Sequence, residues 1–203
     1  MARIKVGDTI PSGTFKYVPW APELDEGVVC GIPVQLNTDE WKGKKVVIVA
    51  VPGAFTPTCH VNHLPPYLEK YDELRKKADA VYVLSGNDVF VMAGWAKSQG
   101  FKDKIIALSD VNSKWSEGAK KKKTPTKTRS RRITYGRKSF CLALTYFLLA
   151  TEMGMSQDLS VMGMGKRPLR YALILDDLKV TSVEIEPGKG VTETGVDAML
   201  GKL

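Results

Sequence analysis

Three short aliphatic runs constrain this chain more than any other feature: "KKVVIVAVPG", "ADAVYVLSGND" and "DKIIALSD". Each is too short for a core helix and rich in aliphatic, often β-branched, residues, and each stops at a turn-forming break. That is how a strand buried on both faces reads. Helical patterns lie between the runs. Tyr67 to Lys77 follows a Pro-Pro pair and sets Leu68, Tyr71 and Leu74 at helical spacing, and Val89 to Ser98 is a second amphipathic candidate. Further on, "RYALILDDLKVTSVEIEPG" reads as two strands around a tight turn and "GVDAMLGKL" as a last helix. Strands joined by helical crossovers, with a late hairpin, predict an α/β domain whose mixed sheet is flanked by helices. The early stretches "YVPW" and "CGIPVQLNTDEW" predict short strands and loops.

Composition narrows the class. With 203 residues, 43% of them hydrophobic, the chain can bury one full core, so a single domain over residues 1–203 is expected. No span approaches the roughly 20 apolar residues of a membrane helix, and "MARIKVGDTI" lacks a secretory apolar region, so a soluble intracellular protein is expected. Three cysteines and two histidines at no metal-ligand spacing argue against a disulfide framework or a zinc site.

The net charge of +8 is concentrated in one place. Gly118 to Thr151, "GAKKKKTPTKTRSRRITYGRKSFCLALTYFLLAT", holds six Lys and four Arg without an acidic residue, leaving 20 basic against 22 acidic residues elsewhere. Its basic half gives way abruptly to an apolar half with neither strand alternation nor a polar helical face, so the segment reads as foreign to the domain. Excising it joins "KWSE" to "EMGMSQDLS" as a helix-like "SKWSEEMGMSQDLS". The first base of the Gly118 GGN codon can be an exon-final G followed by a GT donor, and an ACA codon at Thr151 would complete a CAG acceptor with the first base of Glu152. A translated intron is therefore the reading taken, with a genuine basic loop as its alternative; the segment is expected to lack packing against the core. The tract "KKKKTPTKTRSRR" supports only nonspecific contact with nucleic acid or anionic lipid, because no interleaved aromatics or groove-reading motif accompanies it.

The chemistry points to "VPGAFTPTCH", Val51 to His60. A strand ends at Val51, Pro52 and Gly53 turn the chain, and Thr56 and Pro57 stand where an N-cap and a first helical residue belong. Cys59 then falls in the first helical turn, where free amide hydrogens and the helix dipole favour an anion and so lower a thiol's pKa. A small buried structural cysteine is the alternative on position alone. His60 and His63 follow within one turn, but no Asn or Asp orienter accompanies them, and His63 reads as a packing and hydrogen-bonding residue.

"PGAFTPTC" resembles the active-site signature of the peroxiredoxins, in its type II (peroxiredoxin V) wording. "KVGDTIPSGTFKYVPW", "CGIPV", "KKVVIVAVPGAFTPTCHVNHLPPYLEK", "VFVMAGWAK", "LSD" and "RYALILDDLKVT" extend the resemblance to fungal thioredoxin-dependent peroxidases and peroxisomal-membrane-protein-like allergens of that class, over nearly all the chain outside 118–151. The resemblance implies a thioredoxin-like fold and a thiol peroxidase acting on hydrogen peroxide and alkyl hydroperoxides, with no metal, flavin or haem. Cys59 becomes the peroxidatic nucleophile, supported by Thr56, the covering Pro52 and the guanidinium of Arg170 before Tyr171, with Arg167 as runner-up.

The resemblance also implies a resolving cysteine. Cys30 in "EGVVCGIPV" matches the fungal position, whereas Val83 and Glu193 occupy positions where other branches carry theirs; Cys141 reads as an inert thiol. Thioredoxin or glutaredoxin is the implied reductant and a homodimer the implied assembly, with Phe55, Phe90 and Trp95 as interface candidates and Trp95 with Met92 as core or dimer contacts. The expected residence is cytoplasmic, with peroxisome or mitochondrion as alternatives; "GKL" resembles an altered peroxisomal address. The competing function is an inactive or impaired peroxiredoxin whose basic insertion binds nucleic acid or anionic lipid nonspecifically.

Overall fold

The run Val46 to Val51 is wholly buried at every position, so both faces of its strand meet apolar layers. This fixes the plan of the computed structural model, which describes residues 3–27, 29–118, 153–188 and 190–203. In chain order the elements are β1 (Thr14–Tyr17), α1 (Pro22–Asp25), β2 (Val34–Asn37), β3 (Lys45–Val51), a π-helical turn (Thr58–His63), α2 (Leu64–Glu69), α3 (Tyr71–Arg75), β4 (Ala80–Ser85), α4 (Val89–Gln99), β5 (Ile105–Ser109), α5 (Lys114–Glu117), β6 (Ser156–Asp158), β7 (Lys166–Pro168), β8 (Tyr171–Asp176), β9 (Lys179–Ile185) and α6 (Val196–Leu200).

Seven strands form one sheet in the order β2-β1-β5-β4-β3-β8-β9. β4 is parallel to β3 and to β5, as helical crossovers require, and the remaining pairs are antiparallel. The mixed α/β sheet and its late hairpin are those expected. One face packs Val47, Val49, Leu64, Tyr67, Leu74, Met92 and Trp95 around Cys59, and the other packs Phe15, Trp41, Tyr82, Trp115 and Leu173. Each fully buried aliphatic or aromatic side chain contributes roughly 1.5–3 kcal/mol, which makes this double layer the main source of stability.

Two readings need correction. The helix expected over Tyr67 to Lys77 starts earlier and is broken at Lys70, whose φ of −97° and ψ of 19° leave the helical region between α2 and α3. The helix-like continuation after "KWSE" is absent on the far side. Gly118 and Gly154 take φ of 85° and 60°, turning the chain, and Ser156–Asp158 pairs with Lys166–Pro168 as a two-stranded ribbon. The expected looseness of the basic segment lies outside the described residues from 119 to 152, as does Cys141. Among the described residues no helix is long and apolar enough to cross a membrane.

Candidate active site

The loop after β3 is shaped by close approach. A Cβ on Gly53 would lie 3.0 Å from both the Met164 methyl and the Thr56 methyl, so any larger residue here requires those side chains to give way. Asn87, two residues beyond β4, fastens the loop: its Oδ1 accepts from Ala54 N (3.0 Å), Ser85 Oγ (2.9 Å) and Arg167 Nη1 (2.8 Å). Thr56 differs from its expected N-cap role. Its hydroxyl donates to the Gly53 carbonyl at 2.8 Å, closing the loop on itself, and no side chain caps the helix start.

Pro57 is already helical, and the chain continues as a wide turn in which Leu64 N–H donates to the Cys59 carbonyl five residues back. Cys59 therefore does lie in the first turn of the helical run, its side chain 1% exposed.

The sheet register delivers the guanidinium. Tyr171 opens β8 opposite Ala50 of β3, which places Arg170 alongside the exit of β3. Arg170 Nη1 and Nη2 both donate to Cys59 Sγ at 3.4 Å. Arg167 is employed elsewhere: its Nε donates to the Met164 carbonyl at 2.7 Å, and its Nη1 reaches Asn87 and, at 3.5 Å, the Pro52 carbonyl. Thus Arg170 faces the sulfur while Arg167 ties the ribbon to the cysteine loop.

Arg170 Nη1 also donates to His63 Nδ1 at 3.0 Å. His63 Nε2 lies 3.0 Å from the Thr194 carbonyl and 3.1 Å from Thr194 Oγ1. The carbonyl can only accept, and the Thr194 hydroxyl spends its proton on Glu186 Oε1 at 2.8 Å, so His63 is the neutral Nε2–H tautomer with a lone pair on Nδ1. Burial, opposed by the Thr194 carbonyl and reinforced by the neighbouring Arg170 charge, lowers the His63 pKa from 6.5 to about 4. Burial pushes Glu186 upward, but donors from Thr192 and Thr194 outweigh it and hold that carboxyl below its ordinary value. Tyr67 donates its hydroxyl to the same Thr194 carbonyl, and burial holds its phenol far above the ordinary range.

His60 is turned away from this cluster. Its Nδ1 accepts from Trp95 Nε1 (3.0 Å) and Gln99 Nε2 (2.9 Å), and its ring stacks on exposed Phe55. Neither histidine is positioned as a papain-like base on the sulfur. Trp95 and Met92 are fully buried, so they are core residues and Trp95 is withdrawn as a surface interface candidate; Phe55 and Phe90 remain exposed.

Cys30 is exposed in the loop between α1 and β2 and lines a cleft of about 440 Å³ with Trp20, Phe90, Ala93, Gly94 and Lys97. α4 turns Phe90, Ala93, Gly94 and Lys97 to this cleft, while its opposite face sends Trp95 and Gln99 to His60. α4 therefore stands between the Cys30 cleft and His60, the residue after Cys59. Sequence reasoning missed Asn87, Thr194 and Glu186. Asn87 follows the carboxyl end of a parallel strand, a position that favours site residues, whereas Thr194 and Glu186 carry no local signal.

The chain that carries this arginine fork resembles known proteins along most of its length. Residues 5–135 match the Redoxin family. A Malassezia furfur protein named as a peroxiredoxin is 40% identical over 97% of this chain and 94% of its own length. One named as a peroxisomal peroxiredoxin from Lipomyces kononenkoae is 36% identical over 93% and 94%. The crystal structure of reduced Prx3 with hydrogen peroxide from Vibrio vulnificus superposes with a TM-score of 0.70 and 28% identity, covering 98% of this chain and 94% of that one. The chain therefore belongs to the Redoxin family, and within it to the peroxiredoxins.

Proposed function

We propose that Cys59 is the peroxidatic nucleophile of a thiol peroxidase that reduces hydrogen peroxide and alkyl hydroperoxides. The carrying observation is the two-nitrogen contact of Arg170 with Cys59 Sγ at the exit of β3. The Cys59 thiolate bonds to one peroxide oxygen as the O–O bond breaks. The leaving oxygen takes a proton and departs as water or an alcohol, and the sulfur is oxidised by two electrons to a sulfenic acid. Arg170 and the amides of the first helical turn stabilise charge developing on the oxygens, the Thr56 hydroxyl joins them by turning its one proton from the Gly53 carbonyl to the peroxide, and Pro52 limits water on one side.

Cys30 is the proposed resolving thiol. It condenses with the sulfenic acid, an S–S bond forms and water leaves. Because α4 stands between the Cys30 cleft and His60 of the turn that carries Cys59, the bond is assigned to two chains of a homodimer, with the exposed Phe55 and Phe90 at the interface. A dithiol protein of the thioredoxin or glutaredoxin kind then returns both cysteines to thiols. Residence is proposed as cytoplasmic, with the peroxisome as second compartment on the strength of the Lipomyces kononenkoae relative's name.

The test is reductant turnover. With thioredoxin, its reductase and NADPH, peroxide-dependent NADPH oxidation is expected in the wild type and absent in Cys59→Ser. Equal turnover in both proteins would remove Cys59 from the reaction.

A further inference from the structure

A guanidinium on a flexible side chain does not stay over a sulfur atom unless something holds it. Arg170 Nη1 has two N–H bonds; one is directed to Cys59 Sγ and the other to His63 Nδ1. His63 is 1% exposed, so the second contact is made out of water. On its far side the imidazole is locked by two acceptors of one residue, the Thr194 carbonyl and Oγ1. Thr194 is itself fixed through its amide (2.7 Å) and hydroxyl (2.8 Å) to Glu186 Oε1, which also takes the Thr192 amide. Two acceptors at Nε2 leave the Nδ1 lone pair free to face the guanidinium, so the bracket determines the tautomer as well as the ring's place.

We infer that His63, held by Thr194 and Glu186, is the positioning residue that keeps the Arg170 guanidinium over the Cys59 sulfur. The inference deepens the peroxidase reading and rests on it only for its consequence in turnover. His63 touches neither peroxide nor sulfur in this role; it acts through Arg170.

Two substitutions separate the ring's two nitrogens. Asn places an amide oxygen where Nδ1 stands and keeps an acceptor for Arg170, whereas Gln places its amide nitrogen where Nε2 stands and keeps the Thr194 contact but loses that acceptor. The primary readout is the rate of Cys59 alkylation by iodoacetamide at neutral pH, followed by peptide mass spectrometry, which needs no peroxidase activity. The His63→Gln rate is expected to fall roughly tenfold and the His63→Asn rate to stay within about threefold of wild type, the loss matching a hydrogen bond to a charged group. Peroxide kcat/KM should follow the same order. A His63→Gln rate equal to wild type, or equal losses in both variants, overturns the inference. Should His63→Gln not fold, Glu186→Gln replaces it; a folded Glu186→Gln with slowed alkylation supports the bracket, and one with an unchanged rate overturns it. If wild-type turnover does not depend on Cys59, the peroxidase reading fails while the alkylation comparison still decides the role of His63.

Discussion

His63 and Arg170 meet as acceptor and donor at 3.0 Å, 107 residues apart in the chain, and that contact requires a neutral imidazole. A protonated ring would set a second cation and an N–H against Nη1. The charged groups around His63 are Arg170, which opposes its protonation, and Glu186, which favours it; burial is the largest influence and leaves the folded-state pKa at about 4. Because this lies below the ordinary 6.5, the unfolded chain takes up the proton first as pH falls. The associated stability is complete above pH 6.5 and is lost towards about pH 4, on the order of 3 kcal/mol. Urea denaturation across that window should show a loss in wild type that is largely missing in His63→Gln. Buried Asp110, whose pKa is raised by burial against donors from Trp115 and Ser116, works in the opposite sense, so the difference between the two proteins is the quantity to measure. Parallel curves would contradict the neutral buried ring.

Replacing Arg170 removes both donors to Sγ without emptying the core. Arg170→Ala should lower peroxide kcat/KM by roughly a hundredfold or more, and Arg170→Lys should recover only part, because an ammonium cannot present the planar fork. Rapid-mixing kinetics under pseudo-first-order peroxide would measure this; unchanged kinetics in Arg170→Ala would remove the residue from the site.

The interposed α4 predicts the form of the oxidised protein. Peroxide treatment should give a reducible dimer on a non-reducing gel, lost in Cys30→Ser and in Cys59→Ser alike. A dimer that persists in Cys30→Ser would show that another thiol is the partner, and a monomeric disulfide would show that α4 moves aside.

Asn87 accepts three hydrogen bonds at one oxygen, two of them from the segments that frame the cysteine loop. Asn87→Ala strands those donors and should cost about 1–3 kcal/mol in chemical denaturation, with a fall in peroxide rate as Ala54 and Arg167 are released. Full stability together with full activity would deny the clamp.

The two ends of the basic segment are already joined. Ser116 and Glu117 carbonyls accept from Met155 (2.8 Å) and Gly154 (3.4 Å) amides, so the chain re-enters the fold where it left. A protein lacking residues 118–151 should therefore fold with a thermal midpoint no lower than the intact chain and keep its peroxide reactivity. Failure of the shortened chain to fold would make the segment part of the domain. Sequencing mature transcripts addresses its origin: messages that all retain the segment, with an intact protein mass to match, would rule out the intron reading.

How much the sequence disclosed depended on whether the cause was local. β3, β4 and β5 are legible because their aliphatic runs are buried on both faces, and Cys59 because a strand, a Pro-Gly turn and a helix start are adjacent in the chain. Arg170 was found by resemblance, and the register Ala50 to Tyr171 supplies its physical reason. The π turn escapes periodicity, since six residues of wider winding barely shift the spacing of apolar residues. The Thr194 and Glu186 bracket was illegible because its partners are brought to His63 from more than 120 residues away by the β8-β9 hairpin and the loop that follows it. The helix-like look of the joined "SKWSEEMGMSQDLS" misled because strand pairing with Lys166–Pro168 overrides the propensity of three residues.

The most direct measurement is single-turnover oxidation of the reduced protein by one equivalent of hydrogen peroxide, with dimedone trapping and peptide mass spectrometry. The account predicts rapid peroxide consumption with a sulfenic acid trapped at Cys59 in Cys30→Ser, and no consumption above the buffer rate in Cys59→Ser. Consumption at the wild-type rate in Cys59→Ser, or a sulfenic acid formed elsewhere, would contradict it.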